Sequence, residues 1–233
     1  MKIALFGYGK MGKTIERLAQ DKGHEVVLTS NNIAGLTNLN NANVAIDFSV
    51  PSAAQNNIKK ALDLGVPVIS GTTGWLDDYP SVVAYCNQKQ GAFLYASNFS
   101  IGVNLFFALN SHLAQLMEQH PDYEPNIQEI HHIQKLDAPS GTAISLANQV
   151  LKFSQKQGWS LQNNNPQDLW IDAIRQGDVK GTHHVNYVSG VDNITISHCA
   201  HSRDGFALGA IMAAQWIIGK QGVFSMNDVL NIR

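Results

Sequence analysis

The sequence has little of what marks several classes of protein. Only 15% of its 233 residues are charged and the net charge is −2, so it lacks the basic excess that nucleic-acid binding usually shows. Its longest apolar stretch, FALGAIMAAQWII, is shorter than the about 20 residues that a membrane span requires. We therefore expect a buried helix there, with no membrane and no nucleic acid among the partners.

Cysteine is also scarce. Cys86 and Cys199 form no C-x-x-C pair, and a bridge between them is the alternative to two free thiols in a reducing compartment. We favour the free thiols. Glycines interrupt the first apolar run, MKIALFGYGK, too early for the core of a signal peptide. The expected location is cytoplasmic.

Short apolar runs alternate with helical patterns over the first hundred residues. The runs KIALFG, EVVLTS, NVAIDFS, PVISG and AFLYAS predict five buried strands. Strands that alternate with helices predict a parallel sheet covered by helices on both faces. After the third strand, Ser52 and Gln55 have the spacing of a capping box at the start of a helix.

The pattern changes after residue 101. SIGVNLFFALNSHLAQLMEQH predicts a long helix, NIQEIHHI a strand, and the segment after PSGT a helix to about Gln157. WSLQNNNPQ predicts an exposed loop, and HHVNYVSG and DNITISHCAHS a hairpin-like pair of strands without crossovers. We predict an α/β protein with a Rossmann-like parallel-sheet domain, residues 1–101 and 207–233, and a second, α+β domain, residues 102–206.

Three glycines between the first strand and the first helix carry the clearest local motif. Gly7, Gly9 and Gly12 form G-x-G-x-x-G, which allows a tight turn, close approach of a pyrophosphate, and packing of helix on strand. The motif predicts a dinucleotide site. The alternative is three glycines that shape a turn without a ligand.

The sequence leaves the choice of nucleotide open. A dinucleotide site usually has an acid near the end of the second strand, but this chain has Ser30 and Asn31 there. Asn31 can bond a ribose hydroxyl without repelling a 2′-phosphate, and Lys10 can approach that phosphate. A second glycine turn, GTTG at residues 71–74, lies where a cofactor crosses the sheet edge, although it also fits a plain turn.

The segment EIHHIQKLDAPSGTA, residues 129–143, concentrates proton carriers and cations. On a strand Glu129 and His131 share one face and His132 lies on the other, so the adjacent histidines cannot readily bind one metal ion. We expect no metal. Lys135 follows in a loop and offers a positive charge or a proton.

The same segment predicts an anion site. Ser140 is a candidate N-cap, which leaves the N–H groups of Gly141 and Thr142 for a carboxylate. Together with the lysine and the histidines, this suggests reduction of a carboxylate-bearing substrate with a proton supplied. The alternative is a capped helix beside surface histidines.

Other polar residues carry weaker signals. Arg203 is a further candidate for binding a carboxylate, although a surface salt bridge explains it equally well. The pairs His183–His184 and His198–His201 have no metal-ligand spacing. We interpret them as polar strand or loop residues, with His198 as a candidate for the border of the site.

Residues 129–143 resemble the signature of the 4-hydroxy-tetrahydrodipicolinate reductase family. IDFSVP, SGTTGW, SNFSIGVN and SRDGFALGA resemble further blocks of that family, in the same order. The resemblance implies reduction of the cyclic dicarboxylate 4-hydroxy-tetrahydrodipicolinate with NADH or NADPH and loss of water, in diaminopimelate and lysine synthesis. It also implies that the second domain binds the substrate and that its sheet builds a homotetramer.

The resemblance also implies roles for single residues. His131 would exchange a proton and Lys135 would donate one. The candidates for substrate binding, including those derived from the residues alone, are His132, Ser140, Gly141, Thr142 and Arg203. The candidates for cofactor binding are Gly7, Tyr8, Gly9, Lys10, Met11, Gly12, Asn31, Gly71, Thr72, Thr73, Ser97, Asn98, Phe99 and Ser100.

Two departures from the family pattern concern the cofactor. The glycine loop GYGKMG is one residue shorter than the G-x-x-G-R-M-G of many members and has Lys10 in place of arginine. The acid after the second strand is missing. Two other functions stay open: another NAD(P)-dependent dehydrogenase of a small carboxylate, and a nucleotide-sensing protein without catalysis.

Overall fold

The chain divides into two units in the computed structural model, which describes residues 1–33, 35–202 and 204–232. The first unit is Met1–Asn104 with Asp204–Arg233, and the second is Leu105–Arg203. The strands are β1 Lys2–Phe6, β2 Glu25–Ser30, β3 Val44–Asp47, β4 Val68–Ser70, β5 Ala92–Tyr95, β6 Glu124–His131, β7 Gly158–Ser160, β8 Asp168–Arg175, β9 Thr182–Val188, β10 Asn193–Cys199 and β11 Gly222–Phe224. The helices are α1 Lys10–Asp21, α2 Pro51–Asp63, α3 Tyr79–Gln88, α4 Ile101–Met117, α5 Gly141–Leu151, α6 Asp204–Ile217 and α7 Met226–Leu230.

The first unit is built on a six-stranded parallel sheet in the order β11-β5-β4-β3-β1-β2. The five predicted strands are all present, and apolar clusters pack on both faces of the sheet. The predicted α/β class with a Rossmann-like sheet is therefore confirmed. The sixth strand, β11, consists of three residues and was not predicted.

Helix α2 begins two residues earlier than the capping-box spacing predicted. Its N-cap is Val50, which has no capping side chain, and Pro51 occupies the first turn. Proline suits this position because its fixed φ matches the helix and it has no N–H to satisfy. The predicted capping box of Ser52 and Gln55 is wrong.

The second unit contains a mixed five-stranded sheet in the order β10-β9-β6-β8-β7. Strands β9 and β10 form the predicted antiparallel pair, and β6 pairs with β9 antiparallel and with β8 in parallel. The expectation of strands without crossovers is wrong, because the connection that contains α5 joins these two parallel strands. Strand β8 was not predicted, although DLWIDAIR carries alternating burial.

Helix α5 is shorter than predicted. It ends at Leu151 rather than near Gln157, because the Gln157 N–H pairs with the Gln167 carbonyl at 2.9 Å and the chain enters β7. Strand β7 therefore occupies the first part of the segment that was predicted to be a loop.

The two faces of the second sheet differ. One face packs α5 over an apolar cluster that includes Ile127, Leu169, Ile171 and Val185. The described residues on the opposite face are largely polar, and those in the middle of β6, β8 and β9 are half-buried. They bond across strands, with Gln128 to Asp172 at 2.9 Å and Asn186 to Asn126 at 2.9 Å.

Several smaller expectations can also be compared with the structure. Cys86 and Cys199 are free, as predicted. Helix α6, which contains the longest apolar stretch, is largely buried. None of the described helices has the length and apolar character that spanning a membrane requires.

Candidate functional site

The glycine turn after β1 is shaped by close backbone contacts. A side chain on Gly7 would place its Cβ 2.1 Å from the Phe48 carbonyl oxygen, and one on Gly12 would lie 2.3 Å from the Gly7 oxygen. Gly9 differs, because no described atom lies within 4 Å of the position of its missing Cβ. It is also the N-cap of α1, without a capping side chain and without an acid in the first turn. This open helix N-terminus fits a pyrophosphate.

Residues at the ends of neighbouring strands extend this edge of the sheet. The Asn31 side-chain oxygen accepts the Tyr8 N–H at 2.8 Å, so it ties the end of β2 to the glycine turn and leaves its NH₂ group for a ribose hydroxyl. Tyr8 donates its hydroxyl hydrogen bond to Glu16. Lys10 is exposed beside the turn.

The second glycine turn follows β4. A Cβ on Gly71 would lie 2.2 Å from the Phe48 ring, so only glycine fits. The buried Thr72 hydroxyl donates to Asp47 at 2.7 Å and accepts the Ser49 N–H at 2.9 Å. Thr72 therefore shapes the turn with its side chain, and only its backbone is left for a ligand. Thr73 is exposed.

The candidates at residues 97–100 follow β5 at the same edge. The Asn98 side-chain oxygen accepts the Ser100 N–H at 2.8 Å. Phe99 is buried, with its ring 5.7 Å from that of Phe48. The first unit thus brings all predicted cofactor residues to the carboxyl ends of β1, β2, β4 and β5, where parallel sheets bind nucleotides.

The second unit contains a buried carboxylate, that of Glu129 on β6, which is 0% exposed. The Ser140 N–H donates to it at 3.0 Å and the Arg175 guanidinium at 3.1 Å. The Nε2 atoms of His131 and His183 lie 3.5 and 3.7 Å from Oε2, the oxygen that accepts this Ser140 bond, whereas Arg175 binds Oε1. One anion therefore contacts groups from β6, α5, β8 and β9; we call these five residues the Glu129 cluster.

The pKa of Glu129 follows from this environment. Burial acts to raise the pKa, but contacts from His131, His183 and Ser140 outweigh it and hold the pKa well below its ordinary value. The carboxylate is consequently ionised at neutral pH, and the nearby guanidinium compensates its charge.

Arg175 extends the cluster to the loop after β6. Its guanidinium donates to the backbone oxygens of Asp137 at 2.6 Å and Lys135 at 3.3 Å. The Lys135 ammonium contacts both Asp137 carboxylate oxygens at 2.7 Å, and this contact lowers the pKa of Asp137. Arg175 was not predicted from the sequence. The signal for it was the alternating pattern of DLWIDAIR, which predicts a strand with the arginine at its C-terminal end.

His183 is a strand residue, as predicted, but its burial beside Glu129 was not expected. Its ring is 4% exposed, and its Nε2 lies 3.2 Å from the Ser140 hydroxyl. Burial lowers its pKa, and the nearby His131 adds to this shift, whereas Glu129 opposes it. Strand pairing places His183 opposite Glu129, a relation that sequence alone could not supply.

The other histidines of these pairs lie differently. His184 points to the opposite face of β9, and His201 is exposed. His198 pairs with His183 across β9 and β10, and burial lowers its pKa. Arg203, also a candidate, lies outside the described residues.

The start of α5 is the predicted anion site. Ser140 is the N-cap, and its hydroxyl accepts the Ala143 N–H at 3.2 Å. No described atom lies within 4 Å of where a Cβ on Gly141 would be, and the first turn has no acid. This leaves space for a carboxylate at the N–H groups of Gly141 and Thr142.

Two histidine nitrogens also suit a ligand. The Nδ1 of His132 is buried and has no hydrogen-bond partner among the described residues, which is costly unless a ligand or water satisfies it. The His131 ring packs against Gly181, where a Cβ would lie 3.1 Å from its Cε1 and 3.5 Å from its Nδ1. The His131 Nε2 is also buried without a hydrogen-bond partner among the described residues, and it lies 3.5 Å from the Glu129 carboxylate.

Glu129, His131 and His183 also lie close enough to hold a metal ion, with one ligand atom each within 4.8 Å of one another. The Arg175 guanidinium, 3.1 Å from the same carboxylate, is already a cation in that place, and it would repel a second one. The geometry therefore favours a hydrogen-bonded cluster over a metal centre.

Comparison with known proteins gives consistent matches. Models of the dihydrodipicolinate reductase N-terminus and C-terminus match residues 1–99 and 102–230. The chain is 50% identical over 234 residues to the 4-hydroxy-tetrahydrodipicolinate reductase of Christiangramia forsetii, which covers 99% of this chain and 98% of the relative. Identity to the 4-hydroxy-tetrahydrodipicolinate reductase of Methanoregula boonei is 32% over 257 residues, with 99% and 98% covered.

A solved structure supports the fold. The dipicolinate-bound dihydrodipicolinate reductase from a Paenisporosarcina species superimposes with a TM-score of 0.78 at 20% identity, covering 97% of both chains. A probable dehydrogenase from Thermotoga maritima gives a TM-score of 0.58 at 9% identity, covering 98% of this chain and 92% of that chain.

The buried His183 makes stability depend on pH in a defined direction. Its folded-state pKa is lowered, so below about pH 6.5 the unfolded chain binds a proton that the folded chain does not. The free energy of unfolding should therefore fall as pH drops from about 6.5 toward the folded-state pKa, by at most about 1.4 kcal/mol per pH unit for this group. His198 contributes with the same sign.

Urea unfolding of wild type and His183→Gln between pH 5 and 7.5 tests this expectation. The free energy of unfolding of His183→Gln should depend less steeply on pH than that of the wild type, whatever its absolute value. Tyr187→Phe is the matched control, because Tyr187 lies on the same buried face of β9 and burial raises its pKa to about 12. An unchanged slope in His183→Gln would contradict the assignment.

Proposed function

This chain belongs to the dihydrodipicolinate reductase family, and we propose that the Glu129 cluster organises the site where it binds and protonates its substrate. Its reaction is the reduction of 4-hydroxy-tetrahydrodipicolinate with NADH or NADPH, in diaminopimelate and lysine synthesis. The observation that carries the proposal is the buried Glu129 carboxylate, which holds the start of α5 and, through Arg175, the loop of Lys135.

The substrate carries carboxylates, and the site offers groups that bind them. The N–H groups of Gly141 and Thr142 at the start of α5 bind one carboxylate, and the helix dipole adds to the attraction. His132 contributes its unsatisfied ring nitrogen. Ser140 holds the turn in place by capping α5 and by donating its N–H to Glu129. Arg203 stays a candidate for a further carboxylate contact.

The reaction consumes one hydride and one proton and releases one water. When bound, the nucleotide supplies the hydride. Lys135 donates the proton, because its ammonium is a cation that Asp137 orients at 2.7 Å. His131 exchanges a proton with substrate or water, and Glu129, 3.5 Å from its Nε2, orients the ring.

The nucleotide binds at the carboxyl edge of the first sheet. The N-terminus of α1 at Gly9 would hold its pyrophosphate, and the NH₂ group of Asn31 would bind the ribose. Because Asn31 is uncharged and Lys10 is exposed beside the glycine turn, both NADH and NADPH are accepted. The turns at residues 71–73 and 97–100 complete this edge.

The proposed assembly is a homotetramer that forms through the half-buried face of the second sheet. That face combines apolar side chains such as Trp170, Ile130 and Ile174 with cross-strand hydrogen bonds, a composition suited to contact with a second copy. A cytoplasmic location is supported by the free thiols of Cys86 and Cys199.

Replacing Lys135 tests the catalytic proposal. Lys135→Met should lower kcat by about 10²–10⁴-fold, as expected for loss of a general acid. Turnover is followed as NADH or NADPH oxidation, with dihydrodipicolinate synthase supplying the unstable substrate. Oxidation by the wild type must depend on the synthase.

Lys180→Met is the matched control for this experiment, because Lys180 pairs with Asp178 at 2.5 Å with the same two-residue spacing. It should keep nearly wild-type kcat. Equal losses in both lysine variants, or near-normal turnover in Lys135→Met, would argue against the proposed proton donor.

The assembly is tested by the mass in solution. Light scattering should give four times the 25.4 kDa of one chain, and Trp170→Glu should reduce this mass by placing a charge in the interface. Val191→Glu changes an exposed turn residue and should keep the tetramer. A tetrameric Trp170→Glu, or a monomeric wild type, would refute this arrangement.

A further inference from the structure

The first unit also contains a buried carboxylate, that of Asp47 at the carboxyl end of β3. Asp47 is 0% exposed. One of its oxygens accepts from the Ser49 hydroxyl at 2.7 Å and the Asn57 amide at 2.8 Å. The other accepts from the hydroxyls of Ser70 at 2.8 Å and Thr72 at 2.7 Å. Four donors thus converge on one carboxylate.

All four of these donors are neutral side chains. A buried carboxylate without an ion pair is stable only if hydrogen bonds replace the water that it loses. Bonds to a charged acceptor are stronger than those between neutral groups, so each donor is held firmly. Ser49 and Thr72 lie in two different loops, and Asp47 therefore fixes the position of one loop relative to the other.

These two loops are linked to the glycine turns. The Ser49 N–H donates to the Thr72 hydroxyl at 2.9 Å, and the Gly71 N–H donates to the Asp47 carbonyl at 2.9 Å. Phe48, between Asp47 and Ser49, lies against both turns. A side chain at position 7 would clash with its carbonyl, and a side chain at position 71 would clash with its ring. A shift of Phe48 would displace both turns together.

We propose that Asp47 is a positioning residue for nucleotide binding. Its carboxylate holds the loop after β3 and the turn after β4, and so fixes Phe48 between the two glycine turns. Asp47 acts through these turns and does not touch the nucleotide. This inference rests on the proposal that the turns at Gly7 and Gly71 bind the nucleotide.

The variant Asp47→Asn keeps the size of the side chain and replaces one acceptor oxygen by a donor group. Two of the four donors then lose their acceptor, and the loops after β3 and β4 lose their common anchor. The Kd of NADH and NADPH should rise about tenfold, measured by fluorescence titration. The Kd of dipicolinate, measured by calorimetry as a probe of the second unit, should stay within about twofold of wild type.

This pair of ligands separates positioning from general loss of structure. A merely structural role would weaken both ligands or neither, together with a lower Tm, and would overturn the proposal. If the wild type binds neither NADH nor NADPH, the proposed nucleotide site itself fails, which is a distinct result.

A pair of serine variants keeps the test decisive if Asp47→Asn does not fold. Ser49→Ala and Ser70→Ala each remove one hydroxyl donor from Asp47. Ser49 lies in the loop after β3, whereas Ser70 lies on β4 and is held there by strand pairing with β3 at Asp47. Ser49→Ala should raise the Kd of NADH at least threefold more than Ser70→Ala. Equal effects on Kd would overturn the proposal.

Discussion

The negative charge of Glu129 must be compensated inside the protein, because its carboxylate is fully buried on β6. Burying such a charge costs several kcal/mol unless paired groups and hydrogen bonds replace the lost water. Arg175 and the Ser140 N–H meet this need, and each brings a segment with it. Ser140 begins α5, and Arg175 binds the backbone of the loop that carries Lys135. The proposed anion-binding helix start and the loop of the proposed proton donor therefore take their positions from one carboxylate.

The two units use the same physical device with different partners. The negative charge of Glu129 is compensated by the guanidinium of Arg175. Because the Glu129 cluster is therefore close to neutral, it does not repel a carboxylate substrate as an isolated negative charge would. Asp47 is compensated only by neutral donors from the described residues around it, which suits a role in fixing loops. In each unit a buried carboxylate at or near the end of a central strand orders the loops that meet there. The proposed nucleotide-binding edge depends on Asp47, and the proposed substrate-binding edge depends on Glu129.

How much of this was predictable depended on the range of the interactions. The glycine turn at Gly7 and the N-cap at Ser140 were predicted correctly, because each belongs to a short sequence motif. The contact that requires glycine at position 7 nevertheless comes from the distant Phe48. The shared face of Glu129 and His131 followed from strand alternation. Arg175 and His183 were not found, since they are 46 and 54 positions beyond Glu129 and meet it only through the pairing of β8 and β9 with β6. Sequence periodicity gives the face of a strand but not its neighbour.

The most direct measurement is the Kd of dipicolinate for wild type and Glu129→Gln, by calorimetry at neutral pH. If Glu129 holds the anion-binding groups in place, its loss should weaken binding about tenfold, or about 1.4 kcal/mol, although a negative charge has been removed from the site of a dianion. If Glu129 were only a nearby charge, Glu129→Gln would bind dipicolinate more tightly. Equal or tighter binding by the folded variant would contradict the account.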